Sequence, residues 1–377
     1  MTRRDFIKGT VGAATIAGAA TFGGGVVFLN TAQFGRKPSK ERLARLLRSP
    51  NWKDGAFRNY EPLSRGGAPA AKRQSRVKVM WKFLFGDKSA MFPEAPVKTV
   101  KPDLSALPLE KNAAVWFGHS SVFLVLGGKR ILIDPVFSPY ASPLPFINRA
   151  FPYTGGFSVG DIPEIDILLV SHDHWDHLDY PTLGALLPKV RAVFAPLGVG
   201  EYLEQIGFDP AIVREGDWWD SLPHEGMEIT FLPARHFSGR LKRPNQTLWC
   251  GFLLEAQGRK VLFSGDGGWG GHFAEIARRC GPVELAFLEN GQYNVKWPNC
   301  HMAPEETALA GVTLGAKRVW PVHNCKFALS EHAWNAPLLE LARCSQRYSY
   351  ELLTPMVGEP VFWDSPAIPR DTFNWYA

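Results

Sequence analysis

The sequence predicts an α/β fold in which two β-sheets pack face to face with helices on their outer sides. Three features point there. Apolar runs of strand length, rich in Val, Ile, Leu and Phe, recur from residue 113 onward. Gly127-Gly128 and Gln257-Gly258 each separate a pair of such runs as a hairpin turn. After each hairpin comes a further apolar strand and a helix, so the second half repeats the order of the first. With 377 residues, 45% hydrophobic and 21% charged, the chain can bury a large core. Its five cysteines (Cys250, Cys280, Cys300, Cys325, Cys344) are odd in number and widely spaced, which excludes a disulfide scaffold and a paired-cysteine zinc motif.

In the first half, residues 114–117, 121–126 and 130–133 read as strands, and 165–170 as a buried strand followed by a helix over 181–187. In the second half the strands are 229–232, 248–256, 260–263, 283–288 and 318–322. Helices cover 271–280 and 304–314, the latter with Pro304 in its first turn. Ahead of residue 111 the strand pattern is missing. Residues 41–48 form a short amphipathic helix that Pro50 ends, and 65–71 is a loop. Residues 77–85 mix basic and aromatic side chains, as a segment docked on the main domain or touching a membrane surface would. The proline-rich stretch 92–108 reads as a linker laid over the surface.

The formal charge of +6 is unevenly spread. Residues 1–110 hold 20 Lys and Arg against 8 Asp and Glu, whereas 111–377 hold 22 against 28. A basic front on an acidic body suits contact with an anionic membrane surface. Thr2-Arg3-Arg4-Asp5-Phe6-Ile7-Lys8, followed by a weakly hydrophobic run over 11–29, resembles a twin-arginine export signal. That pattern implies handling by the twin-arginine export machinery as a folded protein and a periplasmic location. An uncleaved leader would tether the chain to the inner membrane. The chain thus divides into a signal or anchor (1–30), a basic extension packing on the main domain (31–110) and the main domain (111–377).

The chemistry concentrates in Ser171-His172-Asp173-His174-Trp175-Asp176-His177, directly after the buried strand. So many imidazoles and carboxylates in one run cannot be buried without partners. At a strand end the chain can bend His172 and His174 toward one ion, and Asp176 and His177 toward a second. Imidazole and carboxylate ligands suit zinc. His236, Asp266 and His323 each follow a predicted strand, at the carboxyl end where α/β sheets place their sites. Together these are seven ligands for two ions.

At these residues the chain resembles the metallo-β-lactamase fold superfamily, and within it the branch of N-acylphosphatidylethanolamine phospholipase D and the ascorbate-phosphate lactonases. The resemblance covers residues 111–345, and more faintly 49–55. It rests on Trp116-Phe117-Gly118-His119-Ser120-Ser121, Ile133-Asp134-Pro135-Val136-Phe137-Ser138, Ala141-Ser142-Pro143, the stretch 172–180, Gly265-Asp266, His301-Met302-Ala303-Pro304-Glu305-Glu306 and Val322-His323. It implies a four-layer αββα sandwich and two Zn2+ per chain, other divalent metals being possible. His172, His174 and His236 would bind the first ion, Asp176, His177 and His323 the second, and Asp266 would bridge them. Class B β-lactamases commonly carry Cys at the place of Asp266, whereas phosphodiesterases, thioesterases and lactonases of this fold carry the acid. His174 argues against the flavodiiron branch, and no inserted cap domain of the nucleases fits.

Water between two such ions is ionised near neutrality and can attack phosphorus or an acyl carbon. Asp176 is expected to orient that nucleophile and handle its proton. His301 is expected to bind phosphate or protonate the leaving group, the alternative being a helix-start residue facing solvent. Asp134 is expected to hydrogen-bond a ligand imidazole, and His119 either to do likewise or to make a structural hydrogen bond. His224, His272 and His332 lack motif context and read as surface or cap residues. The resulting expectation is a phospholipase D-type phosphodiesterase acting on N-acylphosphatidylethanolamine-like or other phospholipids. Its alternatives are a lactonase or carboxylic or thioester hydrolase, and a non-catalytic metal-binding envelope protein. A small-molecule or lipid substrate and a homodimer fit this reading; nucleic acid does not.

Overall fold

The computed structural model describes residues 31–35, 38–63, 89–144, 146–240, 244–365, 368 and 373–377. The twin-arginine and apolar stretch, the 65–71 loop and the 77–85 segment lie outside the described residues. Among the described residues no helix is long and apolar enough to cross a membrane.

Helix α1 (Lys40–Leu46) and a small hairpin, β1 (Trp52–Lys53) with β2 (Ala56–Phe57), come first. Strands β3 (Ala113–Trp116), β4 (Val122–Leu126), β5 (Lys129–Ile133), β6 (Ile165–Leu169), β7 (Val190–Pro196) and β8 (Val213–Gly216) then form a six-stranded sheet in chain order. It is antiparallel as far as β5 and parallel from β5 to β8. Strands β9 (Ser221–His224), β10 (Met227–Leu232), β11 (Gly251–Ala256), β12 (Arg259–Phe263), β13 (Leu285–Glu289), β14 (Arg318–Val322) and β15 (Glu351–Leu352) form a seven-stranded sheet, also in chain order. It too is antiparallel at its start and parallel from β12 onward. The duplication is therefore real at the level of topology. The two Gly-containing turns meet: a Cβ on Gly127 would sit 2.7 Å from that of Ala256, which admits only glycine there.

The inner faces of the two sheets share one apolar cluster. Ile131, Ile133, Ile167 and Phe194 from the first sheet meet Phe231, Phe252, Phe263, Phe287 and Trp320 from the second. On the outer face of the first sheet, Leu132, Leu168 and Val193 pack against α2 (Tyr180–Leu186) and α3 (Gly200–Ile206) through Leu183, Leu186 and Leu203. On that of the second, Leu253, Leu262 and Leu288 pack against α4 (His272–Cys280) and α5 (Pro304–Thr313) through Phe273, Ile276 and Ala310. Helix α6 (Ala336–Ser345) packs beside α5. This is the four-layer αββα sandwich.

Several elements differ from the expectation. β11 begins at Gly251 and β13 at Leu285, later than the apolar runs suggested. The edge strands β8 and β9 escape the apolar pattern because they carry Arg214, Glu215 and Pro223, residues that sheet edges tolerate. Residues 92–108 are not merely laid over the surface. Val97 and Leu104 are buried, and Val97 and Thr99 bridge to Tyr153 and Val357. Helix α1 is fastened by Arg42, which reaches Glu201 (2.9 Å), Glu204 (2.6 Å) and Glu215 (3.2 Å). Phe231 is fully buried between the sheets. Phe231→Ala is expected to destabilise the protein by about 3–5 kcal/mol in urea denaturation, with little change of slope.

Candidate metal centre

The strand ends of both sheets open onto one rim, and there the candidate ligands gather. The loop after β6 is fixed from below by Asp134, at the end of β5. Asp134 Oδ1 accepts the Ser171 N–H (2.7 Å), and Oδ2 accepts the Ser171 hydroxyl (2.5 Å) and His177 Nδ1 (2.8 Å). From the side, the buried Arg240 guanidinium donates to the carbonyls of Asp173 and Leu178 and lies 4.0 Å from the Trp175 ring. Thus a loop of six consecutive polar and aromatic residues is held rigid without regular secondary structure.

His172 Nε2 lies 2.9 Å from His174 Nδ1, and His236 Nε2 lies 3.2 Å from that same nitrogen. These three form one compact group, and Asp176, His177 and His323, with His119, form another, each with its ligand-type atoms within 4.8 Å of one another. Asp266 stands between them. Its Oδ2 is 4.0 Å from His172 Nε2, 3.8 Å from His236 Nε2, 3.1 Å from His177 Nε2 and 2.8 Å from His323 Nε2. Asp176 Oδ2 is 3.7 Å from His177 Nε2 and 3.5 Å from His323 Nε2. All seven candidate ligands therefore converge.

The donor set fits metal ions rather than a hydrogen-bonded core. His177 Nε2, His323 Nε2 and Asp266 Oδ1 are buried without a hydrogen-bond partner, although opposite charges lie close. Nitrogen and oxygen atoms that face one another off the hydrogen-bond line are arranged as ligands around an ion. Ligands about 2.0–2.1 Å from a tetrahedral zinc stand roughly 3.3 Å apart, the scale seen here. Backbone geometry supports this crowding. His119, Asp134 and His323 all have positive φ (52°, 41° and 68°), a costly conformation for non-glycine residues that clusters at functional sites. Gly265, at φ 63°, admits no side chain because a Cβ would overlap the Cys250 carbonyl.

Electrostatics follow the same logic. Burial alone would raise the Asp266 carboxyl, but His177 and His323 hold it well below its usual range. Burial raises Asp176 as well, and His177 and His119 reverse that. Burial would lower His177, yet Asp266, Asp176 and Asp134 push it up to about 10. His323 is raised likewise, against burial, by Asp266 and Asp176. Among the other ligands, burial and neighbouring imidazoles hold His172 well below its usual value. Without cations, protons on His177 and His323 neutralise the two carboxylates.

The remaining sequence-predicted residues fall around this centre. Asp134 bonds the imidazole of the candidate ligand His177. Of its two alternatives His119 takes the structural one: its Nε2 lies 2.8 Å from the carboxylate of the candidate ligand Asp176, because the buried acid needs a donor and His119 is the nearest. Burial and His323 lower His119 to about 3, so the ring meets Asp176 neutral, through its Nε2–H. His301 is part-buried, its ring 5.2 Å from that of His236 and 5.0 Å from that of His323. It faces the centre and not solvent. His332 is no surface residue either, since its Nε2 accepts the Gln292 N–H. Sequence reasoning missed Asn59, whose side chain donates to the His236 carbonyl (2.7 Å) and accepts its N–H (3.0 Å). It also missed Glu289, a fully buried acid. The signal was available: a Glu closing the apolar run Leu285-Ala286-Phe287-Leu288 cannot be buried unpartnered. An open groove of about 470 Å³ among the hairpin turns 223–228 and 255–260 lies at the far ends of these strands, away from the ligands.

The Beta-lactamase superfamily domain family matches residues 129–324, which is more than half of the chain. The chain belongs to the metallo-β-lactamase superfamily. That is a superfamily of metal-dependent hydrolases, and the chain lies in the branch that resembles N-acylphosphatidylethanolamine phospholipase D. Over 332 residues it is 33% identical to an uncharacterized protein of Mycobacterium tuberculosis, with 87% of each chain covered. It is 35% identical over 226 residues to a mitochondrial N-acyl-phosphatidylethanolamine-hydrolyzing phospholipase D of Saccharomyces cerevisiae, covering 57% of this chain and 48% of that one. In fold it is similar to CmlA, a diiron β-hydroxylase from Streptomyces venezuelae (TM-score 0.53, 20% identity), over 67% of this chain and 54% of that one.

Metal binding is expected to displace protons, because a metal cannot share the lone pair of a protonated imidazole. In the metal-free protein the raised His177 contributes stability that is complete below its ordinary value of 6.5 and fades as pH rises toward about 10. The depressed Asp266 contributes above its ordinary 3.8 and loses that contribution in acid. Calorimetric zinc titrations at pH 7.5, in two buffers of different ionisation enthalpy, should therefore report proton release. Identical heats in the two buffers would contradict this ligand assignment. Asp266→Asn is expected to lower the bound metal below that of the unsubstituted chain by elemental analysis.

Proposed function

We propose that the protein is a dinuclear zinc phosphodiesterase of phospholipase D type, acting on N-acylphosphatidylethanolamine-like or related phospholipids. The observation that carries this reading is Asp266, one carboxylate facing two groups of ligand-type side chains at once. Two zinc ions held by His172, His174 and His236, by Asp176, His177 and His323, and jointly by Asp266 would supply an activated water and offset charge on the substrate oxygens.

The chain's own residues do the rest. Asp176 is held ionised with one oxygen fixed by His119, so it can orient a nucleophile and accept its proton. His301 stands at the rim as the group nearest an incoming phosphate or its leaving oxygen. Phe237 is exposed beside the His174 and His236 rings (4.6 and 4.8 Å), an apolar wall against which a lipid chain can lie. The yeast relative supports the lipid substrate, and the diiron centre named for CmlA supports two ions. The imidazole-rich ligand set favours zinc. The twin-arginine pattern supports folded export to the periplasm, and the basic front supports contact with anionic lipid.

Zinc-loaded protein should hydrolyse an aryl phosphodiester, and Asp266→Ala should lower the rate by at least about 100-fold. Incubated with a total lipid extract it should release phosphatidate from an N-acylated ethanolamine phospholipid, followed by mass spectrometry. An aryl phosphodiester left intact while lactones or acyl thioesters turn over would sink the phosphodiester reading.

A further inference from the structure

One carboxylate outside the ligand set reaches both the metal side and the substrate side of the centre. Glu289 closes β13 and is fully buried. Its Oε2 accepts the Met302 N–H (2.7 Å), and its Oε1 lies 3.2 Å from His301 Nδ1. His323 Nδ1 is 3.4 Å from the same Oε1, at ion-pair distance but without hydrogen-bond geometry. The acid is itself immobile, because the Ser264 hydroxyl accepts its N–H and Thr307 donates to its carbonyl, each at 2.9 Å. A carboxylate so placed is expensive to bury unless its partners are fixed. Here they are the ring of residue 301 and the amide of residue 302, two adjacent points on one short segment, together with the Gly291 N–H, which donates to Oε1 at 3.4 Å. That grip sets the ring parallel to His323, with an interplanar angle of 15°. With Nδ1 engaged, Nε2 is the only ring nitrogen of His301 left to meet a substrate.

We propose that Glu289 is a positioning residue that acts on the substrate through His301. It holds Nδ1 so that Nε2 points into the space shared with Asp266, His236 and His323. This rests on reading His301 as the substrate-side group. It adds the requirement that His301 is useless unless a buried acid behind it fixes its ring. The same physics makes partners behind ligand histidines matter: an imidazole with a free second nitrogen can rotate and swap tautomers.

The test is a double-mutant cycle on the full chain at saturating zinc, with Glu289→Gln, His301→Ala and both together. Metal content is checked by elemental analysis and kcat/KM is measured with the aryl phosphodiester. The expected result is a loss of between about 10- and 100-fold for Glu289→Gln with metal content retained. In the His301→Ala background the same substitution should cost no more than about twofold. A downfield imidazole N–H resonance should be present in the unsubstituted protein and absent from both single variants. If Glu289→Gln fails to fold, Glu289→Asp, which keeps the charge but withdraws the oxygen, takes its place in the cycle. Equal losses in both backgrounds, a silent Glu289 substitution, or loss of bound metal at saturating zinc would each overturn the proposal. If the unsubstituted protein leaves the phosphodiester intact, the phosphodiester reading fails by itself. The cycle is then read on the lactone or thioester that the protein does hydrolyse.

Discussion

A carboxylate oxygen surrounded by four imidazole nitrogens is the constraint on which the rest of this structure turns. Asp266 could not be buried alone, since an isolated ionised acid in a dry interior is prohibitively costly. It therefore needs positive charge, and each nearby group is placed to supply or hold it. Protons on His177 and His323 do so without metal, and divalent ions do so better, because they also satisfy His172, His174 and His236. The sandwich exists, from this viewpoint, to bring loops from both sheets to one carboxylate. The inter-sheet core of Ile and Phe side chains sets the separation of the sheets, and with it the distance between the two ligand groups.

Around that centre the supporting residues share one pattern. Asp134 stands behind His177, His119 behind Asp176, Asn59 behind the His236 backbone and Glu289 behind His301. Each is polar and itself held by backbone groups or buried surroundings. Three of the backbone positions at the site are forced to positive φ, an outlay accepted where aim matters more than local comfort. A site built in this way tolerates little displacement, which is what a reaction needing an aligned nucleophile demands.

Much of this was legible in the sequence, for a physical reason. The HxHxDH run at the end of an apolar strand has no cheap structural explanation, so its residues announced themselves. His236, Asp266 and His323 were legible more weakly, by recurring at strand ends. The hairpin turns carried the duplication, because a two-residue turn with glycine leaves few alternatives. The edge strands β8 and β9 were illegible because much of their side-chain surface faces water, so Arg214 and Pro223 look like loop residues. Asn59, and the identity of the group that His119 meets, were hidden for another reason. What they touch is far away in the chain, and no local pattern reveals a hydrogen bond between residue 59 and residue 236. Glu289 was readable in principle as an acid ending an apolar strand, yet only the fold shows which imidazoles it meets.

The Asn59 contact has a consequence for how this enzyme class is cut into domains. Asn59 grips both peptide groups of His236 as a neighbouring strand would, yet it belongs to the amino-terminal stretch that precedes the family-matched region. A fragment trimmed to residues 129–324 would keep every candidate ligand and lose the peg that holds one of them in register. The leading segment is better regarded as one wall of the candidate metal centre than as packaging to be discarded.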